Sequence, residues 1–367
     1  LGDVYKRQDI DYAKQVTKLA DYSGIAITVS NDYEINDTAK QKYLTNVLQS
    51  YGADAYKQVT DRDTVADGDY VKVDYTGYKD GKAFDGGSAT DVMLDVTNNS
   101  QVGGSSFIDG FTKPIIGAKV GDKVKGDVTF PEDYGNDDLN GQTVTFEYTV
   151  KGIYSADPVA LADMTDEQVN TVFGKAGVTT NAQLTTQIEK DLKQQLYSAE
   201  VDKIKSYMIE NSTVEIPDEY LQARLNEYIA SFTKENVKDG QTLKKYLKSN
   251  YNMTVDQATE KWKENLTEQI KTEFIFGVIA EKENIKMDDD AFNSYVDYIV
   301  SASNGQFSKA SEVYKYFGSG HKDEGKTYLK NQYLVNKAID TVTEKANVTF
   351  EDGSAAPDTS SGSADAE

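Results

Sequence analysis

Apolar and polar positions alternate with period two between Ala66 and Tyr154, whereas the flanking chain repeats every three to four residues. The stretches "YVKVDYTGY", "KVKGDVTF" and "TVTFEYTVKGIY" read as strands, and the glycines of "DGG", "VGG", "DGF" and "VGDK" mark turns between them. From Ser155 to Thr349 the spacing is helical. Leu184, Ile188, Leu192 and Leu196 form one stripe. Leu221, Leu225, Ile229 and Phe232 form another behind Pro217, which occupies a first-turn position. Trp262, Leu266, Ile270 and Phe274 follow, then Tyr328, Val335, Ile339 and Val342. Ahead of the alternating region, "GIAITVS" reads as a strand. The spacing of Tyr43, Leu44, Val47, Leu48 and Tyr51 predicts a helix, with Asp37 as its cap. The pattern predicts an α+β protein with a β-rich domain over 66–154 and a helical domain over 155–349. A strand-and-helix segment over 9–65 precedes them. Residues 350–367, "FEDGSAAPDTSSGSADAE", are acidic and poor in apolar groups, and are expected to form a disordered tail. The opening "LGDVYKRQ", residues 1–8, resembles adapter-derived sequence and is set aside from the fold.

Composition narrows the chemistry. With 367 residues, more than one core is expected. The net charge is −22 and no cluster of Lys and Arg appears, which argues against a nucleic-acid partner. There is no cysteine, so thiol catalysis, disulfides and Cys-ligated zinc are excluded. The one histidine, His321, lies in the polar loop "FGSGHKDEG" and suits neither a metal site nor a catalytic triad. "DDDAF" at 288–292 lacks the spacing and glycine of a calcium loop and reads as a helix start. No cofactor or metal is expected. No apolar run reaches the roughly 18 residues that span a bilayer. The 25 tyrosines outnumber 13 phenylalanines and a single tryptophan, as in proteins whose aromatic rings line half-exposed grooves. The lack of cysteine, the acidity and the Ser/Gly/Asp-rich end point to an extracytoplasmic protein, secreted or on a Gram-positive surface. A signal peptide or lipid anchor is expected ahead of a chain that does not begin with Met.

The alternating region carries a resemblance. "GDYVKVDYTGYKDGKAFDGG", "FIDGFTKPIIGAKVGDKVKGDVTFPEDYG" and "FEYTVKGI" resemble, in order, the opening strand and loop, the central helix and following strand, and the closing strand of FKBP-type peptidyl-prolyl isomerases. The version closest in pattern is the one inside trigger factor. "DRDTVADGD", "VEIPDEYLQARLNEYI" and "EVYKYFGSGHKDEGKTYLKNQYLVNKAIDTVTEKANVTF" extend the likeness into that family's helical C-terminal domain. No signature of the family's ribosome-docking domain occurs within 9–65.

The resemblance implies a peptidyl-prolyl cis-trans isomerase joined to a helical chaperone body. Its partners would be unfolded or nascent polypeptides containing X–Pro bonds. Rival readings are a cytosolic ribosome-associated trigger factor fragment and a peptide-holding module with an inactive site. Matched by motif, Tyr75 and Phe146 would line the catalytic pocket from strands. Phe84 would form a wall, with Asp85 beside it facing the polarised amide. Phe111 would be the floor, and Tyr134 would offer its hydroxyl to a substrate carbonyl. Phe107 and Ile108 would enter the central helix and contact substrate, Ile108 through its backbone N–H. Leu139 would close the far rim. Alternation alone would instead place Tyr75, Phe111 and Phe146 in an ordinary core. "VTNNSQVGGSSF" is longer than the family's usual loop.

Overall fold

A computed structural model of the chain describes residues 10–50, 55–238 and 240–359. Residues 1–8, Tyr51 and the last eight residues lie outside that set. In chain order the elements are α1 (Tyr12–Gln15), β1 (Val16–Lys18), β2 (Ala26–Val29), α2 (Asp37–Leu48), β3 (Tyr56–Gln58), β4 (Tyr70–Lys79), β5 (Lys82–Asp95), β6 (Ser100–Gln101), β7 (Lys123–Thr129) and β8 (Thr143–Pro158). There follow α3 (Asp166–Phe173), α4 (Asn181–Asn211), β9 (Thr213–Val214), α5 (Asp218–Asn236), α6 (Leu243–Tyr251), α7 (Val255–Lys282), α8 (Asp289–Ser301), α9 (Ala310–Phe317), α10 (Lys322–Glu344) and β10 (Asn347–Phe350). The chain is thus α+β, a sheet region followed by a helical one. Two compact units divide it. One is Ile35–Leu192, and the other combines the residues before Ile35 with those from Lys193 onward.

The first unit is built on an antiparallel sheet of order β3-β8-β4-β5-β6, with β7 also pairing to the long β8. Asp80 and Gly81, both with positive φ, make the two-residue turn between β4 and β5 that Asp-Gly favours. β5 runs through Gly86 and Gly87, where the composition had suggested a loop. Register shifts between Val73 and Tyr75 and between Thr76 and Tyr78 absorb the glycines. One apolar cluster holds Val71, Val73, Leu94, Phe111, Ile115, Phe130, Phe146, Tyr148 and Ile153. A second gathers α2, α3 and the start of α4 around Leu44, Leu48, Tyr56, Met93, Val169, Phe173, Leu184 and Ile188. The helical residues up to Leu192 therefore belong to the same unit as the sheet. α2 is capped by Asn36, whose Oδ1 accepts from Ala39 N–H at 2.9 Å, one position before the expected Asp37.

The second unit is helical. Ile270, Phe274, Ile275, Phe276 and Ile279 of α7 are fully buried with Ile204 and Met208 of α4 and Ala338 and Val342 of α10. Residues 10–34 join this core rather than forming a linker. Val16, Ile25 and Ile27 are buried in it, and β2 pairs in parallel with β10, Thr28 against Thr349. Asp288 caps α8 through Ala291 N–H at 2.7 Å, as its sequence suggested. No helix of the described residues is long and apolar enough to cross a membrane.

Residues 350–359 do not form the disordered tail expected of them, and the rest of that segment lies outside the described residues. Residues 351–359 turn back on β10: Phe350 N–H donates to Ser354 O, and Ala356 N–H to Val348 O. Thr359 Oγ1 reaches the buried Glu200 Oε2 at 2.5 Å. Backbone pairing thus compensates for the few apolar side chains there. Burial raises the Glu200 carboxyl above its ordinary value of 4.5, the Thr359 bond lowers it, and Asp358 raises it again. A carboxyl raised in the folded state holds its proton more readily folded than unfolded. Its stabilising contribution is therefore complete below pH 4.5 and is lost as pH rises through the raised value. Glu200→Gln is expected to flatten that dependence and to slow exchange of the Ala356 amide at pH 7. An exchange rate that follows pH equally in both proteins would refute this.

Candidate active site

The site is assembled on the sheet unit, where strands set the rings at fixed spacing. Tyr75 on β4 and Phe146 on β8 point to one face. Phe111 lies between them, its ring centroid 5.0 Å from Tyr75 and 4.9 Å from Phe146, both edge-on. Phe107 stacks on Phe111 at 4.2 Å. Phe84 on β5 meets Phe146 at 6.0 Å and Phe130 at 6.2 Å, and Phe130 meets Tyr134 at 4.5 Å. Edge-to-face packing of this kind suits the ring quadrupoles and holds the rings in place.

These rings enclose a cavity of about 270 Å³. Tyr75, Phe84, Asp85, Phe107, Ile108, Phe111, Tyr134, Leu139 and Phe146 all line it. Every residue singled out from the sequence is therefore brought to one place. Phe111, Phe146 and Leu139 are buried, Tyr75, Phe84, Phe107 and Ile108 half-buried, and Asp85 and Tyr134 exposed at the rim. Burial, and then the neighbouring Tyr134, push the Tyr75 phenol above its usual range. Among the described residues no group of three His, Asp or Glu is disposed to hold a metal ion.

Two glycines explain the position of Phe84. A Cβ at Gly77 would lie 2.6 Å from the Phe84 ring and 2.7 Å from Phe146, and one at Gly87 would lie 2.6 Å from Phe84. The ring rests on bare backbone of β4 and β5. The loop from Phe130 to Gln142 forms the opposite rim. It is held by Gly141 N–H to Pro131 O, Leu139 N–H to Asn136 O, and Lys79 Nζ to Asp138 O.

Three features differ from expectation or were missed. The segment expected to be a central helix is a series of turns, and its one helical turn, Lys113–Ile115, is 3₁₀ and begins after Ile108 and Phe111. Gly110, with φ of 82°, and Pro114 interrupt the chain where an α-helix would have to run. Phe130 is a wall residue in "VTFPEDYG" that alternation alone would assign to core. Tyr148 is fully buried behind the floor and donates its hydroxyl to Phe111 O at 2.6 Å. Its period-two spacing from Phe146 was the available signal.

Residues 62–151 match the FKBP-type peptidyl-prolyl cis-trans isomerase family, and residues 179–344 match the C-terminus of bacterial trigger factor. Trigger factor of Clostridium botulinum (strain Alaska E43 / Type E3) is 26% identical over 296 residues, covering 79% of this chain and 66% of that protein. Trigger factor of Agathobacter rectalis is 28% identical over 330 residues, covering 89% of this chain and 69% of that protein. A solved structure of the trigger factor chaperone, from work on its promiscuous substrate recognition in folding and assembly, aligns over 89% of this chain and 72% of its own. Its identity is 18% and its TM-score 0.44. The chain spans about two thirds, 66%, of the first of these relatives. These relatives overturn the extracytoplasmic, secreted location expected above, because trigger factors are cytoplasmic, ribosome-associated chaperones. Acidity and absence of cysteine set solubility and redox chemistry, and neither specifies a compartment.

Proposed function

We propose, for a chain that is trigger factor-like over most of its length, that it assists protein folding by turning X–Pro bonds in the aromatic cavity while its helical unit holds the unfolded client. The observation that carries the reading is the convergence of all nine motif-matched residues on one apolar bowl with a polar rim. Rotation about X–Pro faces a barrier of roughly 18–20 kcal/mol from amide conjugation. No bond breaks and no proton must move. Catalysis then requires a dry seat for the proline ring and donors placed for the twisted amide. Phe84, Phe111, Phe130 and Phe146 supply the seat. The Ile108 N–H has no hydrogen-bond partner among the described residues, so it is free to bind a substrate carbonyl. The Tyr134 hydroxyl and Asp85 at the rim would meet the amide as it loses conjugation. A client-holding role is supported by rings in mutual contact on α5, α6 and α7. Trp262 packs on Tyr228 and Phe232, and Tyr246 on Phe232 and Tyr251, with Tyr228 and Tyr251 exposed.

In a chymotrypsin-coupled assay the full chain should accelerate isomerisation of an X–Pro tetrapeptide. Phe84→Ala should lower kcat/KM by about tenfold or more, on the order of 1.4 kcal/mol at the transition state. Asp85→Ala should lower it with stability nearly unchanged. Full activity in both variants would refute the site.

A further inference from the structure

Residues 107–112 are not helical, so most of their buried backbone groups need partners from elsewhere. One side chain supplies three of them. Asn99 Nδ2 donates to Phe107 O at 3.1 Å and to Ile108 O at 2.9 Å. Its Oδ1 accepts from Thr112 N–H at 3.0 Å. The buried Thr112 hydroxyl lies 3.1 Å from both Asn99 Oδ1 and Val96 O. The Asn99 backbone carbonyl accepts from Phe107 N–H at 2.9 Å. Asn99 itself adopts a φ of 50°, the left-handed region that asparagine tolerates better than most residues. It lies in the turn between β5 and β6. With both ends of its amide engaged, the turn segment has its carbonyls tied down, while the Ile108 N–H has no partner among the described residues.

We propose that Asn99 is a positioning residue of the proline bowl. By clamping Phe107, Ile108 and Thr112, it holds the Phe107 ring in the wall and the Phe111 ring in the floor, and aims the Ile108 N–H at the substrate carbonyl. The catalytic part of this proposal rests on the isomerase reading above. The clamp itself does not.

The test uses the full chain, selectively labelled with 15N-isoleucine, with the Ile108 resonance assigned through Ile108→Val. An X–Pro tetrapeptide anilide is the probe. Asn99→Ala should lower kcat/KM about tenfold, with kcat falling more than KM rises, because the donor acts on the twisted amide. It should also move the Ile108 amide resonance. Asn99→Asp keeps the acceptor towards Thr112 but faces two carbonyls with a carboxylate, so it should fail as Asn99→Ala does. Asn98→Ala is the control. Asn98 bonds only Asp95 through its side chain, and its loss should leave kcat/KM within twofold. The clamp is overturned if Asn99→Ala leaves the Ile108 resonance in place, whatever happens to activity. The positioning role is overturned if the resonance moves but kcat/KM stays within twofold of an active parent. If the parent turns over no peptide while the resonance still depends on Asn99 and not on Asn98, the isomerase reading falls and the clamp stands.

Discussion

Phe111→Ala is expected to cost about 3–5 kcal/mol, in line with deletion of a buried aromatic ring. Phe111 is 2% exposed and touches four other rings, stacking on Phe107 and meeting Tyr75, Phe146 and Tyr148 at their edges or faces. Its removal leaves a void that Phe107 alone cannot fill, since Phe107 is held by its backbone contacts with Asn99. The same change removes the floor of the bowl, so kcat/KM should fall by more than the roughly tenfold expected for the Phe84 wall. Phe111→Leu retains much of the volume and should recover part of both losses. The measurement is hydrogen exchange of β4 and β8 amides, together with the tetrapeptide assay. The chain's one tryptophan, Trp262, lies on α7 and reports the other unit. If Phe111→Ala lowered neither protection nor activity, Phe111 would be neither core nor floor.

Arg224→Leu is expected to destabilise the helical unit by about 3–5 kcal/mol, because it strands a buried carboxylate. Arg224 and Glu273 are 7% and 5% exposed and meet at 3.0 Å. Arg224 Nη1 also lies 2.9 Å from the Tyr220 hydroxyl, and the Tyr12 hydroxyl donates to the other Glu273 oxygen at 2.9 Å. Burial alone would make the guanidinium easier to deprotonate, but Glu273 and Tyr220 reverse that and hold it charged. Burial, and then Glu273, push the Tyr12 phenol far above its usual range, so it stays a donor. The double variant Arg224→Leu with Glu273→Leu should recover most of the stability, since a buried pair contributes little net over apolar replacements. Urea unfolding followed by Trp262 emission tests both statements. A loss below about 1 kcal/mol in the single variant would mean that solvent already reaches the pair.

The expected strands β4, β7 and β8 and the helical stripes were legible because each depends on local backbone geometry. A strand exposes alternate residues to one face, and a helix exposes every third or fourth. The Asp80-Gly81 turn was not singled out from the sequence, although few residues tolerate the positive φ it requires. The nine bowl residues were legible only through motif order. Periodicity alone could not separate Phe111 from an ordinary core residue, and in the structure it is both.

Other features had no local signature. Residues 10–34 enter the helical core by pairing β2 with β10, more than 300 residues away, and by seating the Tyr12 ring over Gly277, where a Cβ would lie 2.3 Å from it. Residues 351–359 have a composition that predicts disorder, yet they find backbone partners on β10 and a buried acceptor in Glu200. Asn99 sits in an unremarkable polar loop, and its importance lies in which carbonyls approach it. By itself the sequence determined the strands β4, β7 and β8, the long helices and which aromatic residues were available, because periodicity is local. The tertiary structure alone decided which rings share a wall, which amide is left open among the described residues, and where residues 10–34 and 351–359 are held, because those depend on contacts whose partners lie far along the chain.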